Sequence, residues 1–212
     1  MSGPAWLETA HDVTGPDALR ALYAAPAGAS LAKEADHVHP VYRPFIAASP
    51  WLALATVGPH GPDISPRGDA PGFVEVADPH TLLLPDRRGN NRLDSLRHIA
   101  VDPRVSLLFL VPGHPEALRV LGTARISTHP ELLARCAVDG KAPCTVLVIA
   151  VRTVFFQCGR AVLRSGLWDA SQQVAPGTVP SAGRMLEALG RAGIDAATYD
   201  AGLRDRQRST LY

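Results

Sequence analysis

Trp51-Leu52-Ala53-Leu54-Ala55-Thr56-Val57-Gly58-Pro59-His60-Gly61-Pro62-Asp63-Ile64-Ser65-Pro66-Arg67 reads as a β-hairpin. Its first seven residues are a nearly continuous apolar run of strand length, the pattern of a buried strand. Gly58-Pro59-His60-Gly61-Pro62 breaks that run with residues that preset or permit turn dihedrals. Residues 63–67 then return as the partner strand. The same grammar repeats downstream. Residues 73–76 turn at Asp78-Pro79-His80 into residues 81–85. Residues 105–111 turn at Pro112-Gly113-His114-Pro115 into residues 117–126, and residues 145–156 form the longest β-like run. A parallel crossover needs a dozen or more residues, so connections this short imply antiparallel pairing. Helical spacing appears at 16–25, 91–101, 130–136, 159–168 and 181–190, with a polar helix near residue 212. The expectation is a β-rich α+β fold, a single domain over residues 1–212 with antiparallel strands across 51–157 and helices at both ends.

Composition narrows the function. The 212 residues carry 21 Lys and Arg against 20 Asp and Glu. Such a chain generates no extended field for nucleic acid or an anionic membrane, so neither is expected as a partner. Its 18 Gly and 19 Pro exceed the ordinary shares of about 7% and 5%, which favours turns over a helical bundle. No stretch approaches the ~18 apolar residues of a membrane span. Met1-Ser2-Gly3-Pro4-Ala5-Trp6 lacks the basic-then-apolar order of a signal peptide. Cys136, Cys144 and Cys158 are spaced unlike metal ligands or a CxxC pair, and read as reduced, partly buried thiols of a cytoplasmic protein. His37-Val38-His39 offers two imidazoles without acidic partners at metal spacing, so no metal is expected. The glycine signatures of Rossmann and P-loop nucleotide sites are missing.

The densest chemistry lies in Pro85-Asp86-Arg87-Arg88-Gly89-Asn90-Asn91-Arg92, between a buried strand and a helix start. Arginines at a helix N-terminus oppose the positive end of its dipole. An anion there would relieve that conflict. Phosphate fits, held by exposed N–H groups and bidentate arginine forks, with Gly89 letting the backbone approach. Asn90 or Asn91 would cap the helix. The competing reading is a solvated basic loop paired with Asp86 and Asp94. Two further stretches stand out. In Ser65-Pro66-Arg67-Gly68-Asp69 a hydroxyl, a cation and an anion crowd a strand end. Arg67 either pairs with Asp69 at the surface or joins the anion site. On a helix, Arg160, Arg164 and Trp168 would share one face at i, i+4 and i+8, suited to an anionic planar ligand or to docking on the sheet.

These stretches resemble the pyridoxamine 5'-phosphate oxidase-related flavoproteins. The resemblance is carried by Ser65-Pro66-Arg67-Gly68-Asp69, by Pro71-Gly72-Phe73-Val74, and above all by Leu84-Pro85-Asp86-Arg87-Arg88-Gly89-Asn90-Asn91-Arg92-Leu93-Asp94-Ser95-Leu96. Asp102-Pro103-Arg104-Val105, Leu108-Phe109, Phe156-Gln157-Cys158 and Arg164-Ser165 with Leu167-Trp168 extend it. It implies a six-stranded Greek-key split barrel, and a homodimer with two FMN sites at the interface. Carried over, Arg87, Arg88, Asn91 and Arg92 serve the FMN phosphate and ribityl chain, with Asp86 and Asn90 in the same loop. Ser65, Pro66 and Arg67 flank the ring or ribityl chain, and Leu84 and Pro85 border the ring. Lys141, Arg160, Arg164, Ser165 and Trp168 reach the site across the dimer. The C-terminal Trp and Arg-x-His arrangement that grips the vitamin in pyridoxamine phosphate oxidases has no counterpart here, so vitamin B6 oxidation is not expected. The implied function is an FMN-dependent oxidoreductase of a small molecule, its catalytic residues unassigned. The alternatives are a non-catalytic flavin store or sensor, and a haem-binding split barrel using His37, His39, His98 or His114 as axial ligand.

Overall fold

The computed structural model describes residues 9–190 and 193–212. The Met1–Trp6 stretch therefore lies outside the described residues. Two compact units are present, divided between Glu34 and Ala35. In the first, Gly15 precedes α1 (Pro16–Leu22), with Pro16 at its start and Asp17 in its first turn, as the sequence spells out. It ends earlier than the expected 25, because Tyr23 is already extended. A second short helix, α2 (Gly28–Ala32), was not legible in the sequence.

The second unit opens with α3 (Arg43–Ala48) and is built on seven strands: β1 (Trp51–Gly58), β2 (Gly61–Gly68), β3 (Glu75–Asp78), β4 (Thr81–Asp86), β5 (Arg104–Leu110), β6 (Ala117–Ser127) and β7 (Thr145–Gln157). Helix α4 (Asp94–Val101) joins β4 to β5, and α5 (Pro130–Arg135) lies between β6 and β7. After β7 come α6 (Arg160–Ser165), α7 (Ala182–Leu189), α8 (Ala196–Ala201) and α9 (Leu203–Ser209). The strands form one sheet in the order β2-β1-β5-β6-β7-β4-β3. Every pairing is antiparallel. The six strands implied by the resemblance are thus corrected to seven. Each strand-like stretch of the sequence pairs, including the short β3, which gains its ladder from β4.

The hairpin register runs from Trp51 opposite Gly68 to Gly58 opposite Gly61, closing on the Gly-Pro turn. Leu52, Leu54, Leu84, Phe109, Leu118 and Ile149 are fully buried and form the heart of the core. Ile46 of α3 and Ile99 of α4 pack into the same cluster. Burying a side chain of this size contributes about 1.5–3 kcal/mol. The edge strand β2 alternates half-buried and exposed residues along its whole length. Its hydrogen-bond ladder ends there, as the other end does at β3. Yet Arg67 of β2 comes within 4.0 Å of Asp86 of β4, with four strands between them in the order. The sheet is therefore curled strongly enough for side chains from opposite ends to meet, as the right-handed twist of strands allows.

No described helix is long and apolar enough to cross a membrane. At Gly122 the β6–β7 register shifts, and a Cβ there would lie 2.2 Å from the Ala150 carbonyl oxygen. Gly122→Ala should therefore destabilise the fold by about 1–3 kcal/mol through forced backbone movement. Chemical denaturation measures it, and an unchanged midpoint would show that the bulge relaxes freely.

Candidate functional site

Strand alternation sets the first wall. Asp63, Ser65 and Arg67 share one face of β2, while Ile64 and Pro66 point to the other and are exposed. The three inward residues line a pocket of about 820 Å³. Its second wall is the loop from Asp86 to Leu93 with the first turn of α4, and its third is residues 141–145 together with Tyr212. The pocket brings together Ser65, Arg67, Asp86, Arg87, Arg88 and Asn90. Asn91, Arg92 and Lys141, also singled out in the sequence, line it too.

The loop has an unusual backbone. Asn91 and Leu93 both adopt φ of 59°. Asparagine tolerates the left-handed region, but a leucine there costs about 1–2 kcal/mol. These two residues also explain why α4 starts at Asp94 rather than at the expected 91: neither has helical dihedrals. Asn90 does not cap the helix. Its Oδ1 accepts from the Arg92 N–H at 3.1 Å instead. Leu93 occupies the cap position without any side-chain acceptor, so the first N–H groups of α4 are left without a cap along the pocket wall.

The arginines have separate fates. Arg87 donates from Nε to Asp69 at 2.5 Å and from Nη1 to the Cys136 carbonyl at 2.7 Å. Asp69 is nearly buried, its side chain 3% exposed, and it also accepts from the Tyr212 hydroxyl and the Ala70 N–H. Burial opposes ionisation of Asp69, but those donors outweigh it and hold its carboxyl below the ordinary 3.8. Donation to that carboxylate raises the Tyr212 hydroxyl above its usual value. Arg92 pairs with Asp94 at 2.8 Å at the surface, a contact of small worth. Arg88 is exposed and has no ion-pair partner among the described residues. Of the two readings of Arg67, the surface pairing with Asp69 is not formed: Asp69 holds Arg87, and Arg67 faces Asp86. Burial pushes the Asp86 carboxyl above its ordinary 3.8, with Arg67 countering.

Among the described residues, two buried side-chain atoms lack a hydrogen-bond partner, Arg67 Nε and Thr145 Oγ1. Both residues line this pocket. The two unmade bonds lie on different walls, one on β2 and one on β7, and fit a cavity that receives a polar ligand.

Other singled-out residues lie elsewhere in the single chain. Leu84 is fully buried in the core, Pro85 is buried beside it, and Pro66 faces away. Arg160, Arg164 and Ser165 sit on the exposed α6, apart from the pocket. The three-residue face of Arg160, Arg164 and Trp168 does not form, because Gly166 at φ 58° ends the helix. Trp168 instead donates its indole N–H to the His114 carbonyl at 2.9 Å. Among the described residues, no histidine lines the pocket. His98 bonds Thr56 at 3.0 Å and packs on Gly58, His37 pairs with Asp36, and His114 faces Glu116. Cys144 and Cys158 are exposed rather than partly buried. Sequence reading missed Thr145 and Tyr212. Thr145 becomes visible only once β4 pairs with β7, and Tyr212 lies 143 residues from Asp69.

Arg87→Ala would strand the Asp69 carboxylate and should destabilise the fold by about 3 kcal/mol, whereas Arg88→Ala should stay within about 0.5 kcal/mol. Denaturant titration separates them. Because the folded-state pKa of Asp69 is depressed, its contribution is present above the unfolded value near 3.8 and is lost as pH falls through the folded one. Asp69→Asn should therefore remove part of the acid limb of the stability profile.

The family model for pyridoxamine 5'-phosphate oxidase matches residues 38–158. No curated protein matches the chain. Among solved structures, HupZ from Group A Streptococcus is similar at 18% identity and a TM-score of 0.47, over 57% of this chain and 94% of that one. A protein related to general stress protein 26, of the pyridoxinephosphate oxidase family, from Clostridium acetobutylicum gives 14% and 0.43, over 56% and 86%. An FMN-binding protein from Syntrophomonas wolfei gives 13% and 0.43, over 54% and 82%. The matched segment contains all seven strands, α4 and the loop between β4 and α4, which is more than half the chain. On that match the chain belongs to the pyridoxamine 5'-phosphate oxidase family.

Proposed function

We propose that this chain is an FMN-binding flavoprotein and an FMN-dependent oxidoreductase of a small molecule. The observation that carries this reading is the uncapped start of α4, set beside Arg88, Arg92 and Lys141 on the wall of one pocket. Free N–H groups with nearby guanidinium and ammonium groups are what a phosphate dianion requires. Family membership supplies the rest: a cofactor that pairs a phosphate with a large ring. A pocket of about 820 Å³ is of the size that encloses such a ligand. When bound, the flavin supplies two-electron transfer, which no side chain here can perform.

In this reading Arg88, Arg92, Asn91 and the first N–H groups of α4 hold the phosphate. Lys141 approaches from the opposite loop. Ser65 and Arg67 lie along the rest of the ligand, where the Arg67 cation favours negative charge. Arg87 holds the loop in place rather than the phosphate. The curled sheet completes a Greek-key split barrel, and residues 1–212 act as one domain. The chain works as a cytoplasmic homodimer, in which the exposed Arg160, Arg164, Ser165 and Trp168 of α6 and its flank reach the partner's pocket. Exposed Leu163 and Leu167 beside them supply apolar contact for that assembly.

Arg88→Ala and Arg92→Ala should each weaken FMN about tenfold to a hundredfold and riboflavin far less, since riboflavin lacks the phosphate. Added salt should have the same selective effect. Paired titrations of both flavins measure this, and equal losses for both would remove the phosphate from this loop. Purified protein mixed with FMN should show flavin bands that bleach with reduced nicotinamide and return in air. Inert bands would indicate storage or sensing, a Soret band would indicate haem, and failure to take up FMN would overturn the proposal.

A further inference from the structure

Arg67 and Thr145 both neighbour Asp86. Thr145 is the register partner of Asp86 across β4 and β7. The Arg67 guanidinium lies 4.0 Å from Asp86 Oδ1 and donates a hydrogen bond to the Pro66 carbonyl at 3.1 Å. All three side chains are carried by strands, and all three residues line the pocket. Leaving a buried donor or acceptor unpaired is unfavourable, so two such atoms beside the same acid, one on β2 and one on β7, mark a place where a ligand completes the bonding.

The order of groups restricts that ligand. Arginine can only donate, an ionised carboxylate can only accept, and a hydroxyl does either. With the Thr145 hydroxyl donating, the complement is an acceptor, then a donor, then a second acceptor along one edge. A cyclic imide, C(=O)–N(H)–C(=O), presents that sequence. We propose that Arg67, Asp86 and Thr145 read the imide edge of the flavin's pyrimidine ring, with Asp86 accepting from N3–H and the two flanking residues donating to the carbonyl oxygens. This inference rests on the flavin reading above. A polyol chain offers hydroxyls too, but it rotates freely, and an array on strands gains least from a flexible partner. The state of Asp86 agrees: burial raises its carboxyl with Arg67 countering, and a ligand N–H would supply a donor there.

FMN and 3-methyl-FMN differ only at N3, where a methyl group replaces the hydrogen, so they test that position while sharing ribityl chain and phosphate. Flavin fluorescence titration of the full chain should show 3-methyl-FMN binding at least about tenfold more weakly than FMN. In Asp86→Ala that preference should shrink to within about threefold, because the acceptor is gone. Thr145→Val should weaken both ligands alike. Circular dichroism checks folding, and Asp86→Val replaces the alanine variant if that one does not fold. Native protein that binds both flavins equally, or a preference that survives in the Asp86 variants, overturns the inference and leaves the flavin reading standing. Native protein that binds no FMN overturns the flavin reading itself.

Discussion

The ion pair between Asp69 and Arg87 is the joint on which the site depends. Asp69 follows the edge strand β2, and Arg87 follows β4, near the other end of the sheet order. No ladder hydrogen bonds connect these strands. The pair therefore sets how the two ends face one another across the pocket. A buried carboxylate is costly unless its acceptor capacity is filled, and here Arg87, Ala70 and Tyr212 fill it. The Cys136 carbonyl takes a second guanidinium proton, so the loop after β6 is fastened to the same point. Such a pair contributes geometry more than net stability, since most of its attraction offsets desolvation.

That fastening releases the rest of the loop for binding. With Arg87 anchored, the chain passes through two left-handed residues before α4 begins, and the helix starts without a cap. Natural helices seldom leave both features uncompensated. Their coincidence with exposed Arg88 and with Arg92 makes the wall locally unfavourable and ready for an anion. On the strands, Arg67 of β2 and Thr145 of β7 hold unmade bonds beside the half-buried Asp86. The loop thus presents positive charge, and the strand ends present a pattern of donors and acceptors. In the proposed function, a ligand with a phosphate at one end and a polar ring at the other answers both.

The elements that are local in sequence were legible. The hairpin through residues 51–68 follows from an apolar run, a Gly-Pro turn and a returning strand, and the structure pairs it residue for residue. Helix α7 appears at Ala182–Leu189 with Ser181 as its cap, close to the expected 181–190. The loop at residues 86–92 announced itself by composition alone, because three arginines beside a helix start conflict with the helix dipole. Where a single backbone angle intervened, the reading failed. Asn91 and Leu93 moved the start of α4, and Gly166 cut α6 short of Trp168.

What the sequence by itself determined is the antiparallel, turn-rich character of the chain and the position of its basic loop, since both follow from side chains acting on their near neighbours. Tertiary structure alone decided which arginine is anchored and which is free. Arg87 and Arg88 are adjacent and chemically identical, yet strand β4 delivers one to Asp69 and leaves the other exposed. The recruitment of Tyr212 to Asp69 and of Thr145 to Asp86 was decided the same way. Contacts between residues so distant in the chain depend on how the whole sheet curls, and no local pattern encodes that curvature.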